Sequence, residues 1–289
     1  MHAVTRPSPP FRVAGGALEI HCVPAASDNL VWLAVCTETG IAAIVDGPSA
    51  REVLAYCKVQ GIRPSVVLNT HTHGDHIGVN VDLERRGLLA EMQVVGPASR
   101  AGEIPGLTHP VSDGDTVRIG EVEGTVWLTE GHIDGHISFV FDGVVFCGDT
   151  LFAGGCGYLF DGPPEVMHAS LMRLASLPGA TAVCCAHEYT SDNLRFAWSV
   201  EPDNAVLADR IRAVWATRAL GGCTVPSTIA MEQATNPFLR PGSATLRATV
   251  AAAWPGRVVA SHADVFAAAR ALKDRKDYRS LDDAALPLG

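Results

Sequence analysis

Asn69-Thr70-His71-Thr72-His73-Gly74-Asp75-His76 is the stretch from which the rest of the chain is read. Three of the chain's eleven histidines fall within positions 71–76. A short β-branched run, residues 65–69, delivers the chain to them and reads as a strand. His71 and His73 are two apart, so an extended backbone points both rings to one side. Gly74 is expected to permit a sharp bend. Asp75 and His76 then lead into an expected helix over residues 77–86. Two imidazoles on one side of a bend, with a carboxylate and an imidazole on the other, can surround two cations. The bland alternative is a polar loop of capping or packing histidines. Four ligand-type groups this close together must then all be solvated or paired.

Further donors lie outward from this cluster. His132 stands in Glu130-Gly131-His132-Ile133, Asp149 in Gly148-Asp149-Thr150 and His187 in Ala186-His187-Glu188-Tyr189. Each ends or follows an apolar strand-like run. A strand-end aspartate alone reads as a turn or cap residue. Together with His71, His73, Asp75 and His76 they make seven donors that one edge of a layered sheet would collect.

Residues 17–187 read mainly as short strands with a few helices. Strands are expected at 18–23, 30–37, 41–46, 116–119, 125–129, 137–141, 144–147 and 181–186, and a helix at 49–59. Asp142-Gly143 reads as a hairpin turn with both positions at positive φ. A further helix opens at Pro163-Pro164 and ends by Pro178-Gly179. After His187 alanine, arginine and leucine dominate, and helices are expected at 194–200, 204–220, 244–253 and 262–276. A Pro/Thr/Gly-rich loop, 221–241, separates them. The expected organisation is an N-terminal arm at 1–16, a mixed α/β domain at 17–187 and a helical domain at 188–289.

At about 150 residues per domain, 289 residues suggest two domains. The composition is 47% hydrophobic and 18% charged, which excludes a disordered or fibrous chain. A net charge of −9 argues against nucleic-acid binding, which needs a basic surface. No run of 18 apolar residues exists to span a membrane, and the first residues lack the apolar stretch of a signal peptide. The expected compartment is the cytoplasm. The eight cysteines show no Cys-x-x-Cys pair and read mostly as small buried hydrophobes, Cys156 in its glycine-rich loop least so.

The sequence resembles the metallo-β-lactamase superfamily and, within it, the hydroxyacylglutathione hydrolases, or glyoxalase II enzymes. His-x-His-x-Asp-His marks the superfamily. Gly154-Gly155-Cys156-Gly157, His187-Glu188-Tyr189, Thr224-Val225-Pro226-Ser227-Thr228 and Asn236-Pro237-Phe238-Leu239-Arg240 mark the narrower branch. The resemblance implies an αββα sandwich followed by a smaller helical domain. It implies a binuclear centre with His71, His73 and His132 on one metal, Asp75, His76 and His187 on the other, and Asp149 bridging. Zinc is the first expectation for both divalent ions, with iron or manganese as alternatives, since imidazoles and carboxylates suit several first-row metals.

The implied reaction is hydrolysis of an S-(2-hydroxyacyl)glutathione, typically S-D-lactoylglutathione, to glutathione and D-lactate. The attacking group would be a hydroxide bridging the two cations, with Asp75 as ligand and as its orienter. The implied carrier contacts are Tyr189 and an Arg-x-x-Lys pair that Arg270 and Lys273 fit. Lys273 with Lys276 fits one turn later. Tyr158 stands where the family usually has lysine or arginine, so its contact with the thiol carrier is a neutral hydrogen bond or stacking. Phe160 replaces a tyrosine found in some members. His136 fits the family as a supporting residue and not as a ligand. The expected partner is this small-molecule thioester, with no nucleic acid and no membrane, and the chain is expected to be a monomer or weak oligomer. The rival within the superfamily is a persulfide dioxygenase holding a single iron, against which the Thr224–Thr228 and Asn236–Arg240 blocks argue. A catalytically silent binding module is the other rival, against which the complete donor set argues.

Overall fold

A computed structural model describes residues 3–256 and 259–288. Seven strands form the first sheet in chain order: β1 (Phe11–Val13), β2 (Leu18–Ala25), β3 (Asn29–Cys36), β4 (Ala42–Val45), β5 (Pro64–Leu68), β6 (Gln93–Pro97) and β7 (His109–Val111). The pairs from β1 to β4 are antiparallel and those from β4 to β7 parallel. The later strands are β8 (Thr116–Ile119), β9 (Val122–Leu128), β10 (Ile137–Phe141), β11 (Val144–Gly148), a small hairpin of β12 (Leu151–Phe152) and β13 (Gly155–Cys156), β14 (Ala182–Cys185) and β15 (Ser227–Thr228). The second sheet runs β15-β14-β11-β10-β9-β8.

Strand alternation separates two cores. Leu30, Trp32 and Ala34 on β3 face the second sheet and its Phe139 and Phe146. Val31 and Leu33, one residue out of phase, face the opposite side. There they meet the helices α1 (Arg51–Gln60) and α2 (Gly74–Arg85) through Val53, Cys57, Val79 and Leu83. The same cluster takes in both faces of β11, through Val145 and Phe146, and with them Met167, Leu171 and Leu174 of α3 (Pro164–Ala175). The result is the expected αββα sandwich. Helices α4 (Thr190–Val200), α5 (Ala205–Ala219), α6 (Ile229–Thr235), α7 (Ala244–Ala253) and α8 (His262–Arg275) follow it.

Several local readings need correction. Within the expected arm, Phe11–Val13 is a strand paired to Leu18–Ile20, because its apolar residues pack on the main core. The strands β6 and β7 lie where Gly96, Pro97 and Pro110 hide the strand pattern. At the Asp142-Gly143 turn only Gly143 takes a positive φ, of 80°. Gly74 is not the bend's requirement. Its φ is not positive, and a Cβ there would meet nothing within 4 Å. The chain turns because α2 starts at Gly74, with His73 extended before it at φ −63° and ψ 147°.

The expected loop 221–241 contains β15 and α6. Thr228 caps α6 by accepting from the Met231 N–H. The fully buried Glu232 of α6 accepts from the Gly154 N–H at 2.7 Å, from Asn236 Nδ2 at 3.0 Å and from Arg210 at 2.5 Å. This helix therefore fastens the glycine-rich loop of the sandwich to the helical part.

Candidate metal centre

All seven expected donors meet at one edge of the sandwich. His71 and His73 follow β5, Asp75 and His76 open α2, His132 follows β9, Asp149 follows β11 and His187 follows β14. His71, His73, His132 and Asp149 form one group whose ligand atoms all lie within 4.8 Å of one another, and Asp75, His76 and His187 form another. Asp149 lies between them. Its Oδ2 is 3.4 Å from His132 Nε2, while its Oδ1 is 3.5 Å from both His76 Nε2 and His187 Nε2.

The outer ring nitrogens already have partners. His71 Nδ1 donates to Thr70 Oγ1 at 3.0 Å, His76 Nδ1 to Asp46 Oδ2 at 3.0 Å, His132 Nδ1 to the Tyr158 carbonyl at 2.7 Å and His187 Nδ1 to Asp28 Oδ1 at 2.8 Å. That leaves each Nε2 aimed inward, the arrangement that holds metal-binding imidazoles in one tautomer. In the first group His73 Nδ1 lies 3.1 Å from His71 Nε2 and 3.0 Å from His132 Nε2. Three converging lone pairs call for a cation. In the second group the buried His76 Nε2 and Asp149 Oδ1 have no hydrogen-bond partner. Both groups therefore fit divalent ions, and the all-nitrogen-and-oxygen donor set selects none of the first-row metals uniquely.

The charge states differ between the two groups. Burial holds His71, His73 and His132 below the usual histidine range, so they are neutral donors. Burial also opposes charge on His76, but Asp149 and Asp46 outweigh it and lift its pKa. His187 is pushed up to about 9, burial again being overcome, here by Asp149, Asp28 and Asp75. Cations bound there would displace those protons.

The supporting residues were less visible in sequence. Asp46 accepts from the Thr70 N–H at 2.9 Å and the Thr70 hydroxyl at 2.7 Å as well as from His76. These contacts occupy both its oxygens, so it braces the centre although it lies near His71 and His76. Its signal was an aspartate ending the apolar strand β4 before Gly47, and it takes φ 53°. Asn29 Nδ2 donates to Asp75 Oδ2 at 3.2 Å. His136 accepts from the Asp149 N–H at 3.1 Å and stacks on His71. Gly157 is sterically required, since a Cβ there would lie 2.0 Å from the Asp149 carbonyl and 2.9 Å from His132 Nδ1.

A cleft of about 620 Å³ adjoins the centre, with Asp28, Tyr158, Tyr189, Asn193, Arg270 and Lys273 in its wall. Tyr189 stacks on His187, ring centroids 4.8 Å apart and planes 5° apart. Arg270 Nη1 donates to the Cys156 carbonyl at 3.1 Å, and its Nε and Nη2 donate to Asp274 Oδ1 at 3.1 and 2.6 Å. The Lys273 ammonium donates to Asn193 Oδ1. Burial, with Arg270 nearby, pulls its pKa down to about 7. Lys276 also lines the cleft, so both basic spacings face it. Tyr158 and Phe160 are 52% and 60% exposed and pack on each other at 4.8 Å. Phe160 lies 5.2 Å from the rings of both His73 and His132. Burial raises the Cys156 thiol's pKa even beside Arg270 and Lys273, so it is no thiolate nucleophile.

Two family models match the chain. The metallo-beta-lactamase superfamily model covers residues 35–187, and the hydroxyacylglutathione hydrolase C-terminus model covers residues 188–276. A hydroxyacylglutathione hydrolase of Gloeobacter violaceus is 47% identical over 260 residues, spanning 89% of this chain and 99% of the relative. One from Chelativorans sp. is 44% identical over 259 residues, spanning 89% and 98%. Among solved structures, ETHE1 from Myxococcus xanthus shares the fold with a TM-score of 0.60 at 23% identity, over 93% of this chain and 96% of that one. TTHA1623, solved in a di-iron-bound form, superposes with a TM-score of 0.50 at 26% identity, over 73% and 95%.

Proposed function

This chain belongs to the hydroxyacylglutathione hydrolases of the metallo-beta-lactamase superfamily, and we propose how its residues divide the work of that thioester hydrolysis. The observation that carries the proposal is Asp149, one oxygen toward each donor group. His71, His73 and His132 hold one divalent cation, Asp75, His76 and His187 hold a second, and Asp149 serves both. Bound there, the two cations supply a lowered water pKa and polarisation of the thioester carbonyl.

The chain's own residues supply position. Asp75, its side chain 44% exposed, reaches solvent while Asn29 and His187 hold its Oδ2, so it can orient a water. Tyr189 offers a ring face beside His187, and Arg270 and Lys273 offer positive charge to the carboxylates of the thiol carrier. The leaving thiolate has a conjugate acid near pKa 8.5 and departs without a strong general acid.

Zinc is the metal we assign to both positions, and S-D-lactoylglutathione is the substrate we assign, yielding D-lactate and glutathione. All eight cysteines are free, which supports a reducing compartment, the cytoplasm. Among the described residues no helix is long and apolar enough to cross a membrane. A net charge of −9 favours a small-molecule partner over nucleic acid, and we take the chain as a monomer or weak oligomer. The test is the rate of S-D-lactoylglutathione hydrolysis by the purified chain, with metal analysis of the same sample. The expected result is about two zinc ions per chain, from the two donor groups, and activity that a chelator removes. One bound iron with oxygen uptake on a persulfide would favour the dioxygenase reading instead.

A further inference from the structure

Asp28 stands where the metal centre meets the cleft. Its Oδ1 accepts from His187 Nδ1 at 2.8 Å, and its Oδ2 accepts from Ser27 Oγ at 2.7 Å. Tyr189, stacked on the ring that Asp28 holds, shares the cleft wall with it. The backbone around it is sewn to the His187 segment on both sides. The Glu188 N–H donates to the Asp28 carbonyl at 2.9 Å, and the Leu30 N–H donates to the Ala186 carbonyl at 2.7 Å. Asp28 therefore cannot shift independently of His187. Its carboxylate lines the cleft, and its neighbour Asn29 holds Asp75.

We propose that Asp28 is a positioning residue that sets the His187 ring and the Tyr189 side chain together, coupling retention of the second cation to binding of the thiol carrier. The proposal rests on the reading of Asp75, His76 and His187 as a cation site. A carboxylate at Nδ1 fixes the tautomer that leaves the Nε2 lone pair free. That Nε2 lies 3.3 Å from Asp75 Oδ2 and 3.5 Å from Asp149 Oδ1, the two carboxylates with which it would share a cation. Through that ring the same carboxylate sets the seat of Tyr189, which lies flat on His187. An imidazole without this acceptor could turn about its χ2 and present either nitrogen, and the stacked tyrosine would lose its seat with it.

The test uses the zinc-loaded full chain and the variants D28A, D28N and Y189F. Zinc retention is measured against graded chelator, KM is measured with S-D-lactoylglutathione, and thermal unfolding of the metal-free proteins monitors the fold. In D28A one of the two zinc ions should bind about ten- to a hundredfold more weakly, and KM should rise. D28N should recover zinc retention, because an amide oxygen still accepts from Nδ1–H. Its KM should recover as well, because the ring that seats Tyr189 is again held. Y189F should keep both zinc ions and raise KM alone. Wild-type zinc affinity in D28A, or equal zinc loss in D28A and D28N, overturns the proposal. Should D28A lower the metal-free unfolding temperature, D28N decides: zinc retention or KM that fails to recover there overturns it. A wild-type chain that binds only one zinc ion breaks the underlying two-cation reading instead.

Discussion

At the sheet edge, the donor rings of His71, His76, His132 and His187 are each gripped from behind by a threonine, an aspartate or a backbone carbonyl. In the cleft beside it, Arg270 and Lys273 are also gripped, but by groups that a substrate must displace or share: Asp274, the Cys156 carbonyl and Asn193. The first arrangement aims lone pairs at a point that the protein leaves for a cation. The second neutralises positive charge in advance. On the proposed roles, chemistry is fixed by the sandwich, while affinity for the thiol carrier is a competition fought on α8 and open to tuning.

The largest effect should come from the residue common to both donor groups. Asp149→Ala should lower kcat/KM by about a thousandfold or more and reduce bound metal below two ions per chain, because cation-activated water is then lost. Retained activity and metal would break the contrast at its rigid end.

Next comes the cleft. Arg270→Ala with Lys273→Ala should raise KM by about a hundredfold while metal content and kcat hold, since charge-assisted hydrogen bonds are worth about 1.5–3 kcal/mol each. Steady-state kinetics with metal analysis measures both. A fall in kcat with constant KM would show that the helical part takes part in chemistry.

A smaller change should follow Tyr158→Arg. The exposed tyrosine offers at most a neutral bond, and arginine adds charge beside the cleft, so KM should fall by about tenfold. An unchanged KM on S-D-lactoylglutathione would place the carrier's carboxylates away from residue 158.

The smallest effect is in pH. Lys273 has its pKa pulled down to about 7, so it is charged below that pH and neutral above it. KM for an anionic carrier should therefore rise a few-fold between about pH 6 and 8, and the rise should vanish in Lys273→Ala. Profiles of KM against pH for the two proteins check this.

The same contrast governs what could be read from sequence. The His71–His76 cluster was legible because four donors sit in six positions and a single strand end presents them. His132, Asp149 and His187 were legible as strand-end residues once the cluster demanded partners. Asp46 and Asp28 were not assigned roles, because a lone aspartate near a strand end reads as a turn or cap residue; only the folded chain brings them to His76 and His187. The basic residues of α8 left two spacings open, because a helix turn separates them and both turns line the cleft. Of the fold, β3, β8 and β10 stood out as strongly patterned strands, whereas β6, β7 and α6 are short elements whose glycines, prolines and threonines read as loop. Tertiary pairing imposes their structure, so local sequence could not announce it.

The Glu232 contact to the Gly154 N–H bears on how such chains can exchange parts by recombination. A crossover near residue 188 would trade the tail without touching a single metal donor, and so looks like a free move. Yet Gly154 opens the loop that runs through Gly157 to Tyr158, whose carbonyl steadies His132. An incoming tail without a glutamate at this place, and an arginine to accompany it as Arg210 does, would leave a buried N–H orphaned beneath that loop. Hybrids should keep this loop seated only when the tail carries that pair along.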